Sequence, residues 1–295
     1  MIVVIVGPTG IGKTKLSVEL AKRLDGEIIN ADSTQVYKSL DIATAKVTEE
    51  EKENIPHHLF DIKDINENYT VYDYQKDARN KIDEILKKGK TPVMVGGTGL
   101  YIKACLYDYE FDEEFIHNDY SNLSNDELYQ KVIEIDRNSN IHKNNRKRLE
   151  RFLDYYYNHR ESISNKQKAL NLIYNDTIFI GLTTDRNNLY EILNNRVDKM
   201  VSNGLLDEAR TIYESNIRTK AITTPIGYKE LFSYFEGKNS LEDSLELIKK
   251  RTRNYAKRQY TWFNNQLKVN WFNVNLSDFD KTIDEIYDFL KNRQF

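Results

Sequence analysis

The chain has 295 residues, with 43 Lys+Arg against 46 Asp+Glu, 39% apolar residues and a single cysteine. That length suffices for one large domain or two ordinary ones, and a lone cysteine excludes an internal disulfide framework and nearly excludes a cysteine metal site. The longest uncharged apolar stretch, residues 1–12, is too short to span a bilayer and is interrupted by Gly7, Pro8 and Gly10, so neither a membrane segment nor a signal peptide is expected, and the expected location is cytoplasmic.

Ile2 to Val6 is a continuous β-branched run, the pattern of a strand buried on both faces of a parallel sheet. A Gly-rich turn follows, then Lys13 to Leu24 carries Leu16, Leu20 and Leu24 at helical spacing. Glu27 to Asn30 is a second strand candidate. Val71 to Lys88 is helical and closed by Gly89, and Thr91 to Val95 is a third strand, ended by Gly96-Gly97-Thr98-Gly99. Strands alternating with helices imply βαβ units. After Cys105 the strand signal fades. Asp126 to Ile135 and Asn145 to Tyr157 read as helices, and Thr177 to Leu182 as one more strand. Leu189, Ile192, Leu193, Arg196, Val197 and Met200 recur at helical spacing before Gly204, and Ser240 opens a long helix with Asp243 three residues on. The expected fold is α/β, a phosphate-loop-type parallel sheet flanked by helices. Residues 1–105 would form its first part, residues 106–145 a mainly helical insert, and residues 146–295 the rest of the core with C-terminal helices bearing a basic surface.

Gly7-Pro8-Thr9-Gly10-Ile11-Gly12-Lys13-Thr14 fits G-x-x-x-x-G-K-[ST] between a strand and a helix, which is the context that gives the pattern meaning. Glycines let backbone N–H groups converge on phosphate oxygens, the helix N-terminus adds partial positive charge, Lys13 adds a full one, and Thr14 can ligate Mg²⁺. The loop leaves open which phosphate compound binds, ATP included. An NTPase of this class would place a second acid at the end of an apolar strand, yet Pro92 to Val95 runs into Gly96-Gly97-Thr98 without one. The acid at a strand end is Asp32. It can serve as a Mg²⁺ ligand, as a general base for an incoming nucleophile, or as a helix N-cap with Gln35 completing a capping box. This argues against a motor or switch NTPase and for group transfer at a bound diphosphate.

Charge is unevenly spread. Residues 110–136 hold nine acids and one base, whereas Lys249 to Arg258 holds six bases and no acid. On a helical wheel Leu241, Leu245, Ile248, Thr252, Tyr255, Ala256, Gln259, Trp262 and Phe263 share one sector, and Lys249, Lys250, Arg253 and Lys257 share another. Such a positive stripe suits a phosphate backbone. A second basic cluster, Lys143, Arg146, Lys147, Arg148 and Arg151, precedes Tyr155-Tyr156-Tyr157, a candidate stacking surface for unpaired bases. Together with the cradle these clusters point to RNA.

The ordered set of motifs resembles the tRNA dimethylallyltransferases (isopentenyltransferases) over nearly the whole chain. It comprises GPTGIGKT at residues 7–14, Asp32-Ser33-Thr34-Gln35-Val36-Tyr37 followed by Leu40-Asp-Ile-Ala-Thr-Ala-Lys46, and Pro56-His57-His58-Leu59. Val95-Gly-Gly-Thr-Gly-Leu-Tyr101, Ile141-His142 with Arg148 and Arg151, Gly227-Tyr228-Lys229-Glu230 and the Thr252 to Phe263 segment complete it. Ala43 departs from a usual glycine, Lys143 from a proline, Phe152 and Pro225 from alanines, and Asn264 from an arginine. The resemblance implies transfer of the dimethylallyl group of dimethylallyl diphosphate to the exocyclic N6 amine of the adenosine 3′ of the tRNA anticodon, by a monomer using Mg²⁺. Gly7 through Thr14 would bind the diphosphate. Asp32 would take the amine proton and Thr98 would help position the reacting ends. The resemblance implies RNA contacts by Asp32, Ser33, Thr34, Gln35, Thr98, Lys147, Arg148, Arg151 and Lys229; Arg253 and Lys257 join them from the stripe. The base would be flipped out of its stack. A phosphate-loop small-molecule kinase and a nucleotide-gated RNA-binding protein are the rival readings. His57, His58 and His142 read as packing or loop-ordering groups rather than metal ligands, and Cys105 as a small buried residue.

Overall fold

The structure, a computed structural model, describes residues 1–111, 117–163 and 171–293. Contacts divide them into two compact units, one of residues 1–106 and 174–293 and one of residues 107–173. No helix among the described residues is long and apolar enough to cross a membrane.

The larger unit is built on six parallel strands in the order β3-β2-β4-β1-β5-β6. They are β1 (Ile2–Val6), β2 (Gly26–Asn30), β3 (His57–His58), β4 (Thr91–Val95), β5 (Thr177–Thr183) and β6 (Asn270–Asn273). Every residue of β1 is buried, because β4 and β5 flank it in register, Val3 opposite both Val93 and Ile178, and helices cover its faces. Helix α1 (Lys13–Arg23) packs Leu16 and Leu20 into the main apolar core, where Ile283, Ile286 and Leu290 of the last helix meet them. Helices α2 (Glu49–Lys52), α3 (Val71–Lys87) and α4 (Gly99–Leu106) follow; α3 starts in a capping box between Thr70 and Asp73 and meets α4 through stacked Tyr74 and Tyr101 rings 4.0 Å apart.

The smaller unit holds α5 (Asn125–Ile135) and α6 (Arg146–His159). The expected insert of residues 106–145 is therefore too short. Leu149, Phe152 and Leu153 of α6 bury themselves against Leu128 and Val132 of α5, so α6 belongs with the insert, whose ends are tied by the Tyr107–Leu172 bridge. The buried Asp154 carboxylate accepts from His117 Nδ1 (2.9 Å), the Asn118 backbone N–H (3.0 Å) and the Tyr120 hydroxyl (3.0 Å). Tyr155 is only 2% exposed, so the expected three-tyrosine stacking surface reduces to Tyr156 and Tyr157.

The larger unit continues with α7 (Arg186–Ser202), α8 (Leu205–Glu214), α9 (Lys220–Thr223), α10 (Tyr228–Phe235), α11 (Leu241–Gln266) and α12 (Phe279–Lys291). Asp185 caps α7 and Ser240 caps α11, each side chain accepting from N–H groups of the first turn. Helix α11 buries Ile248, Thr252, Ala256, Gln259 and Phe263, the packed sector read from the sequence, and lies along α7 and α10.

Candidate active site

The loop between β1 and α1 opens at the carboxyl edge of the sheet, where ligands of open α/β folds bind. Gly12 precedes α1 at φ 99°, a left-handed conformation in which a Cβ would stand 2.6 Å from the Phe279 ring, so both backbone and space require glycine here. Thr9, Gly10, Gly12, Lys13 and Thr14 line a polar cavity of about 280 Å³. The side chains of Pro8 and Ile11 are buried, Ile11 within the main core, and shape the loop by packing. Lys13 Nζ donates to the Gly7 carbonyl (3.1 Å) and the Pro8 carbonyl (2.8 Å). Burial pushes the Lys13 ammonium down to about 7, with the Arg196 guanidinium adding to the fall and the Asp32 carboxylate opposing it.

Asp32 follows the end of β2. Its backbone is fixed from both sides by Asn30, whose Oδ1 accepts from the Asp32 N–H (2.8 Å) and whose Nδ2 donates to the Asp32 carbonyl (3.1 Å). No helix follows, and Gln35 donates to the carbonyls of Thr44 (3.0 Å) and Ala45 (3.2 Å), so the capping-box alternative does not form. Asp32 Oδ1 instead accepts from the Thr34 N–H (2.9 Å) and hydroxyl (2.7 Å), an Asx turn. Oδ2 lies toward Gly97 and carries no hydrogen bond among the described residues. Thr98 braces this segment: its Oγ1 accepts from the Ser33 N–H (3.0 Å) and donates to Ser33 Oγ (3.2 Å).

Lys13, Thr14 and Asp32 line the same polar cavity. A second, more apolar cavity of about 230 Å³ adjoins it through Thr9, Asp32, Thr44 and Arg196 and is walled by Ala43, Val197, Met200 and Ile248, with Arg258 among its polar lining. Three residues of this site escape the sequence reading. Arg196 is read there as one more helix-spacing position, yet its guanidinium is enclosed beside Lys13 and Asp32 and, although burial lowers its proton affinity, it remains a cation. Gln259, read only as packing, accepts from the Thr9 N–H (3.1 Å) and donates to the Gly97 carbonyl (3.1 Å), joining the phosphate loop to the turn after β4. Tyr255, placed on the same packed face, borders the apolar cavity, where burial and the Asp32 charge raise its phenol and keep it a neutral donor.

The basic stripe of α11 divides. Lys249 pairs with Asp198 of α7 (2.8 Å), and Arg253 donates to Asn194 of α7 (2.6 Å) and lies over the Tyr190 ring, because this face turns toward α7. Lys250, Lys257 and Arg258 are exposed, as is Lys229. Lys147, Arg148 and Arg151 are exposed on α6 of the smaller unit. The histidines hold structure: His58 Nε2 bonds Glu27 Oε2 (2.8 Å), His57 Nδ1 bonds the Ile55 carbonyl (2.8 Å), and His142 Nδ1 accepts from the Asn144 N–H (3.2 Å). No group of three His, Cys, Asp or Glu able to hold a metal occurs among the described residues. Cys105 is fully buried and its thiol is pushed up to about 12, which leaves it inert.

A phosphate-loop cavity that shares its wall with an open carboxylate defines a group-transfer protein of the α/β class. Residues 35–266 match the sequence profile of the IPP transferase family. The chain is 44% identical to the tRNA dimethylallyltransferase of Anoxybacillus flavithermus, over 99% of this chain and 96% of the relative, and 45% identical to that of Bacillus subtilis, over 92% and 90%. Among solved structures it is similar to a full-length tRNA isopentenylpyrophosphate transferase from Bacillus halodurans (TM-score 0.78, 41% identity, 99% and 95% coverage). It is also similar to a eukaryotic dimethylallyltransferase acting on tRNA (TM-score 0.83, 31% identity, 99% and 79% coverage). The chain belongs to the IPP transferase family.

Proposed function

We propose that this protein transfers the dimethylallyl group of dimethylallyl diphosphate to the N6 amine of the adenosine 3′ of the anticodon in tRNA, acting as a cytoplasmic monomer. The observation that carries the reading is that Lys13 and Asp32 line one cavity, so a leaving diphosphate and an attacking amine can meet there. The backbone amides of residues 10–13, Lys13 and Arg196 gather positive charge where the breaking C–O bond would leave negative charge, the placement that lowers such a barrier. Lys13, near 7 in the free site, gains its proton as the anion arrives. Oδ2 of Asp32 accepts the proton that the amine loses, while Oδ1 stays on Thr34 and Thr98 holds the segment through Ser33. Adenine's exocyclic amine is a poor nucleophile, so alignment matters as much as basicity.

The donor set fits Mg²⁺: the exposed Thr14 hydroxyl is a hard oxygen donor on the phosphate cavity, and this ion is ordinarily held by few protein groups together with substrate phosphates and water. Bound there, it would draw charge from the departing diphosphate. Ser33, Thr34, Gln35, Lys229 and Lys257 of the larger unit, and Lys147, Arg148 and Arg151 of the smaller, are the proposed RNA contacts. Family membership disfavours a small-molecule kinase.

The test is incubation with Mg²⁺, radiolabelled dimethylallyl diphosphate and unmodified tRNA. Label in the RNA is expected. A competent tRNA that stays unlabelled rejects the reading, and ATP-dependent phosphorylation of a nucleoside instead would restore the kinase.

A further inference from the structure

Helix α8 sends Glu208 across to the segment that follows β2. The carboxylate accepts from three successive backbone amides, Oε2 from Asp41 (2.9 Å) and Ile42 (2.7 Å), and Oε1 from Ala43 (3.0 Å). Oε1 also accepts from the Tyr228 hydroxyl (2.8 Å) in the first turn of α10. Four donors converge on one group, an arrangement that only an ionised carboxylate satisfies, having about four acceptor sites and no donor. Burial raises the Tyr228 phenol and the Glu208 charge raises it further, so that hydroxyl stays a donor. The segment held in this way is part of the cleft. Ala43 and Thr44 line the apolar cavity with Asp32, and Gln35 grips the other side of the same turn at the carbonyls of Thr44 and Ala45.

We propose that Glu208 is a positioning residue for the transfer reaction. By gripping the Asp41, Ile42 and Ala43 amides it fixes the Ala43–Thr44 wall relative to Asp32, and with it the pose in which the acceptor base is attacked. The inference rests on the transferase reading. Glu208 touches neither the phosphate loop nor the reacting atoms, so its loss acts on the rate of transfer and leaves diphosphate binding intact.

The experiment compares wild type, Glu208→Gln and Tyr228→Phe in single-turnover transfer to tRNA, alongside affinity for inorganic pyrophosphate and the thermal midpoint. Glu208→Gln turns one acceptor into a donor that faces other donors, and the displaced wall should slow transfer at least about tenfold, with pyrophosphate affinity within about twofold of wild type. Tyr228→Phe keeps the three amide bonds and should slow transfer about threefold, the order of one lost hydrogen bond. A Glu208→Gln rate within about twofold of wild type overturns the proposal, as does a rate loss matched by an equal loss of pyrophosphate affinity. Should Glu208→Gln fail to fold, Glu208→Asp, which keeps the charge but withdraws it by one methylene from the three amides, decides, and a wild-type rate in that variant overturns the proposal. Absence of transfer by the wild-type protein in the same assay would reject the transferase reading itself.

Discussion

The two walls of the cleft are made in different ways. The phosphate wall comes from residues 7–14, a single turn whose shape follows from its glycines and from the strand and helix it joins. The acceptor wall is collected from Asp32, Ala43, Val197 and Tyr255, which reach the cleft from segments far apart in the chain. A wall built locally holds its geometry by backbone conformation. A wall built from afar holds it by side chains that bridge segments, such as Glu208 on the Asp41, Ile42 and Ala43 amides and Thr98 on Ser33, while Gln259 ties the Thr9 end of the phosphate loop to Gly97. Donor binding and acceptor chemistry should therefore come apart under mutation.

The sharpest way to break that separation is Asp32→Asn, which keeps the shape of the side chain and removes the base. Transfer should fall about 10²–10⁴-fold, the range for a general base, while tRNA affinity in a filter-binding assay stays near wild type. A parallel collapse of affinity would make Asp32 an RNA contact first and a base second. On the other wall, Lys13→Met should cost about 10²–10³-fold in kcat/KM for the donor and leave tRNA affinity unchanged. If both variants lost donor and RNA binding alike, the two walls would be one unit.

A finer separation comes from pH. The Lys13 ammonium sits at about 7 in the free site because burial and Arg196 disfavour its charge, and a bound diphosphate favours it. The free site is thus neutral at Lys13 above pH 7, and binding takes up a proton. Donor affinity should weaken as pH rises from 7 toward 9, by up to about tenfold per unit where one full proton is linked. Pyrophosphate titrations in buffers of differing ionisation enthalpy would count that proton. In Lys13→Met the linked proton should vanish, whereas Asp32→Asn should leave most of it.

The same contrast governs what the sequence makes legible. β1, β4 and β5 announce themselves as β-branched runs, and the cradle as a contiguous motif. β3 has only two residues and β6 reads Asn-Trp-Phe-Asn, so neither carries a periodic signal, and both are strands only because a neighbour supplies the ladder. Helix α12 did carry one in Ile283, Ile286 and Leu290. The insert ends at residue 173 rather than 145 because the apolar face of α6 finds its partner in α5, which no local pattern reveals. Asp32 is visible as an acid at a strand end. Arg196 and Gln259 were visible in a different sense, as polar residues in sectors that otherwise read as apolar. Such local violations of pattern are where function is to be sought.

The smallest effect tests the basic stripe of α11, where charge spacing alone treats Arg253 and Lys257 as equals. Arg253 is held by Asn194 at 2.6 Å and lies against Tyr190, whereas Lys257 is exposed. A lysine free to neutralise one phosphate should contribute a slope of about 0.7–0.9 to the dependence of log affinity on log salt. Lys257→Ala should therefore flatten the salt dependence of tRNA binding by about that amount. Arg253→Ala should leave the slope near wild type and lower the thermal midpoint instead, because it uncouples α11 from α7. Equal flattening by both variants would mean that Arg253 leaves Asn194 for the RNA, and that α7 is an alternative partner for the stripe rather than its fixed one.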